Sequence, residues 1–408
     1  MKSIITICLL LMLLLLTYST AILFCSPYLN SSDHEIDYYS KELNSLKKEM
    51  HLGIAKKMQK IYPEGYIFTN VLYGLSAIEL VRKIEDPIGK KVWQTEARWA
   101  ISEIGSDYGT SIFDNNLNPA YGTFYHSWKT WLTGKYLSIL DKNNIDTVLY
   151  ENFQKDCNAI LKYYLVENNP YPETYKGISW PGDAIVGIAA MKLSDKEFHT
   201  DYSKFIEKWI SAVKLNLTAS SHLIPHSTQQ TIPNSIKSSR GSSQSLILCL
   251  LYDIDHNFAL EQYKIFKDKF VDSFLFFSLI KESEPSRNQD EDIDSGPIIF
   301  GFGSVASIVG IGTSKFYGDK TLFSDLNLVV EFSKIPAKYF ISDNTIADLF
   351  ILWSRISEPL ITQTIGSRIK DFANIKYIFL MITILYTAIM IVALKLIWVR
   401  RSINLVNK

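Results

Sequence analysis

Apolar residues recur three and four positions apart along most of the chain, while alternation at every second residue is nearly absent. The pattern therefore predicts helices and almost no strand. The first is a long amphipathic helix over 33–60, with Ile36, Leu43, Leu46, Met50, Ile54 and Met58 on one face, broken by Pro63-Glu64-Gly65. An apolar helix follows from Tyr66 to Ile84, and Asp86-Pro87 opens another. Further helices are predicted from Tyr121 to about Leu140, over 145–167, 184–193, 196–215, 240–251, 258–277, 298–312, 320–333 and 345–356. Some are amphipathic (34–60, 145–165, 197–215, 255–277). Others are apolar on all sides or rich in small residues (66–84, 184–193, 241–251, 298–312). The two kinds tend to alternate. An amphipathic helix shows one face to water and an all-apolar one is covered by neighbours. About twelve such helices suggest an all-α fold, an (α/α)6 toroid of six hairpins closed in a ring. A pairwise-packed α domain is the alternative.

The two ends read differently. Residues 3–32 carry no charge, and Ile4–Phe24 is long enough to cross a bilayer. An uncleaved anchor over 1–26 fits better than a signal peptide, whose apolar region is shorter and ends in a small-residue site. Tyr377–Leu394 is a second uncharged run, followed by Lys395, Trp398, Arg400 and Arg401. A spanning helix over 374–398 with a basic cytoplasmic tail at 399–408 follows from that asymmetry. Two spans with both ends inside place the domain at 33–360 outside the cytoplasm. The expectation is a two-pass protein of the cell membrane, although Arg368, Lys370 and Lys376 on the outer flank run against the charge rule.

Composition narrows the function classes. With 42 basic and 42 acidic residues among 408, the chain lacks the basic excess of a nucleic-acid binder. At 47% hydrophobic and 13% aromatic it is not a disordered composition. Cys157 and Cys249 lie far apart without ligand spacing, so neither a disulfide framework nor a zinc site is expected. His222 and His226 flank Pro225, which argues against the helix that would make them a metal pair. No metal and no cofactor is expected, and nothing in the pattern sets an oligomeric state.

Four motifs place polar residues at the mouth of an apolar helix: Tyr125-His126, Trp180-Pro181-Gly182-Asp183, Arg240-Gly241-Ser242 and Asp292-Ile293-Asp294-Ser295. The last is the most informative, because two carboxylates precede a Ser-Gly-Pro turn and a small-residue run. Burial beside such a run shifts a carboxyl toward acid/base work. Asp294 and Asp183, with Asp292 beside them, are the candidate catalytic acids. Arg240 would hold one of them ionised. Tyr125, Trp128 and Trp180 would stack on a ring of the ligand, with His126, His226 and Ser295 as further contacts. Each motif has a structural reading as well: the acids cap helices, Arg240 pairs with Asp294, and His126 is a core histidine. Gly301-Phe302-Gly303 with Ala306 makes only a loose dinucleotide match without a βαβ unit. No GxSxG elbow supports a serine hydrolase.

The strings Phe124-Tyr125-His126-Ser127-Trp128, Trp180-Pro181-Gly182-Asp183, Leu223-Ile224-Pro225-His226-Ser227, Arg240-Gly241-Ser242-Ser243-Gln244-Ser245 and Asp292-Ile293-Asp294-Ser295-Gly296-Pro297 resemble a family of uncharacterised bacterial membrane-associated proteins over roughly residues 60–320. That resemblance implies a membrane-associated helical protein and brings no activity. More distantly, the helical layout is similar to six-hairpin glycosidases and to linalool dehydratase/isomerase, both α/α toroids. No cysteine pair is placed as that dehydratase chemistry requires. The expected partners are the lipid bilayer and a glycan or other small-molecule ligand, with no nucleic acid. A non-catalytic envelope scaffold, or a lyase or isomerase of an apolar substrate, are the alternatives.

Overall fold

Sixteen α-helices account for most of the described residues of the computed structural model, which describes residues 2–30, 35–141, 145–229, 238–284, 295–340, 345–360 and 372–406. They are α1 Lys2–Cys25, α2 Glu35–His51, α3 Ile54–Ile61, α4 Gly65–Lys83, α5 Pro87–Ile104, the short α6 Asp107–Thr110, α7 Gly122–Leu137, α8 Thr147–Tyr163, α9 Pro181–Phe198, α10 Ser203–Leu215, α11 Gly241–Ile254, α12 His256–Phe270, α13 Ser304–Phe316, α14 Lys320–Phe340, α15 Thr345–Ile356 and α16 Phe372–Val406. The chain divides into two compact units, one of 1–38, 330–340 and 368–408, the other of 39–329 and 341–367.

In the first unit, α1 and α16 pack on each other. Each contains a window apolar enough to cross a membrane, Thr6–Cys25 and Lys376–Ala393. At 1.5 Å per residue, such windows span roughly 30 Å, the thickness of a hydrocarbon core. Between them Thr20 and Thr383 share a hydroxyl hydrogen bond of 2.8 Å, and the Tyr386 hydroxyl donates to the Leu9 carbonyl at 3.0 Å. Leu11, Leu14, Leu15, Met381 and Leu385 stay exposed on the outer faces. At one end of α1 the Ser26 hydroxyl donates to Glu331 at 2.7 Å, and Lys334 pairs with the same carboxylate at 3.0 Å.

The second unit is built on six helices covered on nearly all sides. Packing runs α4 on α7, α7 on α9, α9 on α11, α11 on α13, α13 on α15 and α15 on α4. The half-buried α5 lies on α4 and α7, α8 on α7 and α9, α10 on α9 and α12 on α11. Small residues allow the close approaches: a Cβ at Gly312 would stand 3.2 Å from the Ser354 carbonyl oxygen of α15. Three of these outer helices, α5, α8 and α12, start on side-chain caps. Asp86 accepts from Ile88 N and Gly89 N, Asp146 from Leu149 N, and Asp255 from Phe258 N.

Several sequence expectations need correction. The helix expected over 33–60 breaks at Gly53, whose φ of +83° ends α2 and lets α3 start anew. The helix expected from 196 to 215 is two, since α9 runs on to Phe198 before a turn at His199. Strands do occur. β1 Ile178–Ser179 pairs with β2 Thr228–Gln229, β3 Val271–Phe274 with β4 Phe277–Ile280, and β5 Ile298–Ile299 with β6 Phe302–Gly303, all antiparallel. The helix expected to 277 therefore ends at Phe270, and the one expected from 298 begins at Ser304. Phe, Val and Ile in 271–280 favour a pleated, half-covered ribbon, and so short a hairpin leaves no long period-2 run.

Gly122 sets a joint of the unit. Its φ is +79°, and a Cβ there would run into the Thr174 carbonyl oxygen. Gly122→Ala is expected to cost at least about 2 kcal/mol, from left-handed strain plus the collision. Denaturant unfolding of the full chain in micelles measures it, and an unchanged midpoint would mean that the 168–180 loop yields without penalty.

Candidate functional site

The N-terminal ends of the buried helices carry the motifs. Pro181 opens α9 as its first residue, preceded by Trp180 in an extended conformation, which puts Asp183 in the first turn. Asp183 N donates to the Trp180 carbonyl at 2.9 Å, which closes that turn. Asp183 is nearly buried, and its Oδ2 accepts from the Thr174 hydroxyl at 3.1 Å. The Thr174 oxygen in turn accepts from Trp180 N at 3.2 Å. The loop is tied to α7 as well, because Thr123 N and its hydroxyl both donate to the Glu173 carbonyl at 2.9 Å.

Trp180 is half-buried and stands edge-on to Tyr175, with ring centres 5.8 Å apart. Tyr175 stacks parallel to Phe113 and hydrogen-bonds the Glu64 carboxylate before α4. Three rings therefore line this rim, and only Trp180 was expected. The β1–β2 pairing draws the loop after Pro225 alongside, with Ser179 opposite Thr228. On that loop His226 Nδ1 lies 2.6 Å from the Ser243 hydroxyl of α11. The sequence offered no serine-hydrolase elbow, yet the fold supplies this serine with an imidazole neighbour.

Arg240 immediately precedes α11. Its Nε donates to Glu282 Oε1 at 3.0 Å, and the Ser242 hydroxyl donates to the same oxygen at 2.6 Å. Gly241 N donates to the Glu282 carbonyl at 2.9 Å, and Glu282 N to the Gly301 carbonyl at 3.0 Å. Glu282 is fully buried. Burial pushes its carboxyl up to about 7, outweighing the Ser242 hydrogen bond and the Arg240 charge, which pull the other way. Glu282 is not among the site residues that the sequence pointed to. A signal was present, because continuing the β4 alternation puts Ile280 and Glu282 on one buried face.

Other expected residues lie elsewhere. Asp292 and Asp294 lie outside the described residues. Ser295 is buried, its carbonyl accepting from Val305 N at 3.3 Å in the turn that opens α13. Tyr125 and Trp128 belong to closed packing and not to an open platform. The Tyr125 hydroxyl donates to the Ile104 carbonyl at 3.0 Å, and Trp128 is enclosed against Phe68. His126 turns toward α8, where its Nε2 is 3.6 Å from Asp156. Burial raises the Asp156 carboxyl, but the His126 hydrogen bond and the Lys129 charge outweigh it and hold it below the usual range. The structure thus groups Asp183 with Trp180, Arg240 with Glu282, and His226 with Ser243, and sets His126 apart with Asp156.

The opposite ends of the buried helices are closed by cations. Lys135 of α7 pairs with Glu79 of α4 at 2.5 Å, Lys83 with Glu358 at 2.7 Å, and Lys315 of α13 donates to the Arg355 and Ser357 carbonyls at 2.9 and 2.8 Å. Lysines suit these ends because the last carbonyls of a helix carry partial negative charge. A cavity of about 20 Å³ lies here, between Glu79, Lys135, Cys249 and Asp253. That is room for one water and not for a ligand. Burial raises the Cys249 and Cys157 thiols, which fits core roles.

Comparison with models of known protein families gives no match, and a search of curated proteins finds no relative of this chain.

Proposed function

We propose that the protein is a membrane-anchored, extracytoplasmic enzyme that acts on a carbohydrate or envelope glycan through carboxylate acid/base chemistry. The architecture we infer for it is the six-hairpin toroid, supported by six buried helices of which the last packs on the first. The two candidate spans, with the basic residues that follow the second, support a two-pass anchor with both ends inside.

The observation that carries the reading is the placement of Asp183. It sits in the first turn of a buried helix, beside the Trp180–Tyr175–Phe113 rings, where a sugar face would stack. Asp183 and Asp294 act as the acid/base pair. One carboxyl protonates the departing glycosidic oxygen while the other activates water or attacks the sugar carbon. Arg240 is anchored on Glu282, which makes Glu282 a positioning residue.

Asp183→Asn and Asp294→Asn are each expected to abolish turnover, measured as new reducing ends released from a panel of envelope glycans by the full chain in micelles. Both variants should keep the parent helix content and unfolding midpoint. If Asp183→Asn keeps its activity, or unfolds, the acid is joinery and the catalytic reading fails. The near-complete burial of Asp183 and its bond to Thr174 favour the second reading, a glycan-binding scaffold of the envelope. That reading is marked by ligand binding that survives loss of both carboxylates.

A further inference from the structure

Outside the terminal helices, exposed large apolar side chains mostly stand alone, as Leu52, Ile88, Val148 and Leu215 do. Isolated cases of that kind need no explanation. One place differs. The β3–β4 turn leaves Leu275 and Phe276 at 76% and 91% exposure, and the β5–β6 turn leaves Ile299 and Phe300 at 63% and 78%. The two hairpins form one body. Phe274 stacks on Phe300 with ring centres 5.2 Å apart and meets Phe302 edge-on at 5.8 Å. Lys281 bridges to Phe302, and Glu282 N donates to the Gly301 carbonyl at 3.0 Å.

The turn chemistry makes the patch harder to dismiss. Leu275 has φ +56° and Phe300 φ +53°. Gly, Asn and Asp are the residues that suit this region, and a large apolar side chain there is disfavoured. Both tips therefore carry apolar groups against backbone preference and against water. No charged residue occurs in 273–280 or in 295–303. At the base of the β3–β4 hairpin Lys281 pairs with Asp272, and beyond that pair the tips offer phenyl and aliphatic groups in place of the hydrogen-bonding rim of a protein interface. A bilayer asks for what they have: uncharged aromatic and aliphatic side chains to set at the headgroup–acyl boundary. The chain's two candidate spans would hold the domain beside lipid at high effective concentration, so weak insertion suffices.

We propose that the paired β3–β4 and β5–β6 tips dip into the lipid surface, a third membrane contact besides the two spans. This rests on the membrane-anchored part of the reading above and not on its catalytic part. The same hairpins carry Lys281 and Gly301, which hold Glu282 in place, so contact with lipid would bear on the mouth of the candidate site.

The test uses the full chain with Cys8 and Cys25 replaced by Ala, incorporated into phosphatidylcholine nanodiscs. Single cysteines replace Phe276 or Phe300, with Leu215 and Val148 as controls, and each is labelled with bimane. Nitroxide-bearing phosphatidylcholine is then added to the discs. Labels at 276 and 300 are expected to be quenched roughly twofold or more relative to the controls, with blue-shifted emission. Leu275→Cys gives a second probe should Phe300→Cys disturb the hairpin. Quenching at 276 and 275 no greater than at 215 overturns the proposal. A blue shift insensitive to nitroxide lipid, but dependent on two copies per disc, overturns it in favour of self-association. A chain that fails to enter the discs at all brings down the anchoring itself, which is a separate and visible failure.

Discussion

Between pH 4.5 and 7 the helical domain is expected to lose roughly 3 kcal/mol of stability through one side chain, Glu282, whose carboxyl rises from the usual 4.5 to about 7 on burial. The sign follows from which form the fold prefers. A carboxyl raised on folding is favoured in its neutral form, so its contribution is complete below the unfolded value and fades as pH climbs through the folded one. Glu282→Gln keeps the shape and an acceptor for Ser242 and Arg240, yet cannot ionise. Its stability should therefore run flat across this window, while the parent falls. Other acids of the domain work in the opposite direction. Glu96, Asp156, Asp319 and Glu358 are all held below their ordinary values by cations or hydrogen bonds that outweigh burial. Their contributions are lost as pH falls below about 4. The difference between parent and Glu282→Gln cancels them. Urea unfolding of both proteins in micelles from pH 4 to 8 measures that difference, and parallel curves would show that Glu282 is ionised throughout.

Lys135→Met is expected to destabilise the domain by about 3–5 kcal/mol, because it leaves the Glu79 carboxylate buried without its cation. The two side chains are 6% and 2% exposed and lie 2.5 Å apart. Among the described residues, Glu79 Oε2 has no hydrogen-bond partner, and the adjoining cavity admits only one water. Little solvent is therefore at hand to stabilise a lone carboxylate. The double variant Lys135→Met, Glu79→Leu should recover most of the loss, since a buried pair replaced by apolar groups of like volume is often neutral. Unfolding midpoints of parent, single and double variants decide it. A single variant within about 1 kcal/mol of the parent would mean that this end of the buried helices is wet and the pair screened.

The helical character of the chain was readable because helix period, proline starts and caps are local properties. Asp86-Pro87 and Trp180-Pro181 open helices as their sequences suggest. The hairpins at 271–280 and 298–303 were not readable. Each is too short to show a period, and their pairing joins residues whose attraction depends on what the rest of the fold places above them. The same limit hid Glu282. A glutamate between Lys281 and Ser283 looks like a solvated loop residue until a strand register turns it inward against Ser242 and Arg240. Conversely Tyr125 and Trp128 looked like part of a stacking platform, and His126 like a further contact. Which face of α7 meets α5, α4 or α8 is set by packing, and packing puts all three in closed surroundings.

By itself the sequence determined that this protein is helical, carries an apolar segment at each end long enough to cross a bilayer, and alternates covered with half-covered helices. Those are matters of local period and composition, carried by residues within a few turns of one another. The tertiary structure alone decided that α15 returns to α4, that Arg240 answers to Glu282, and that Ser243 has His226 beside it. Those pairings join positions 17 to about 270 residues apart, where no periodicity reaches and only the burial of whole helix faces selects the partner.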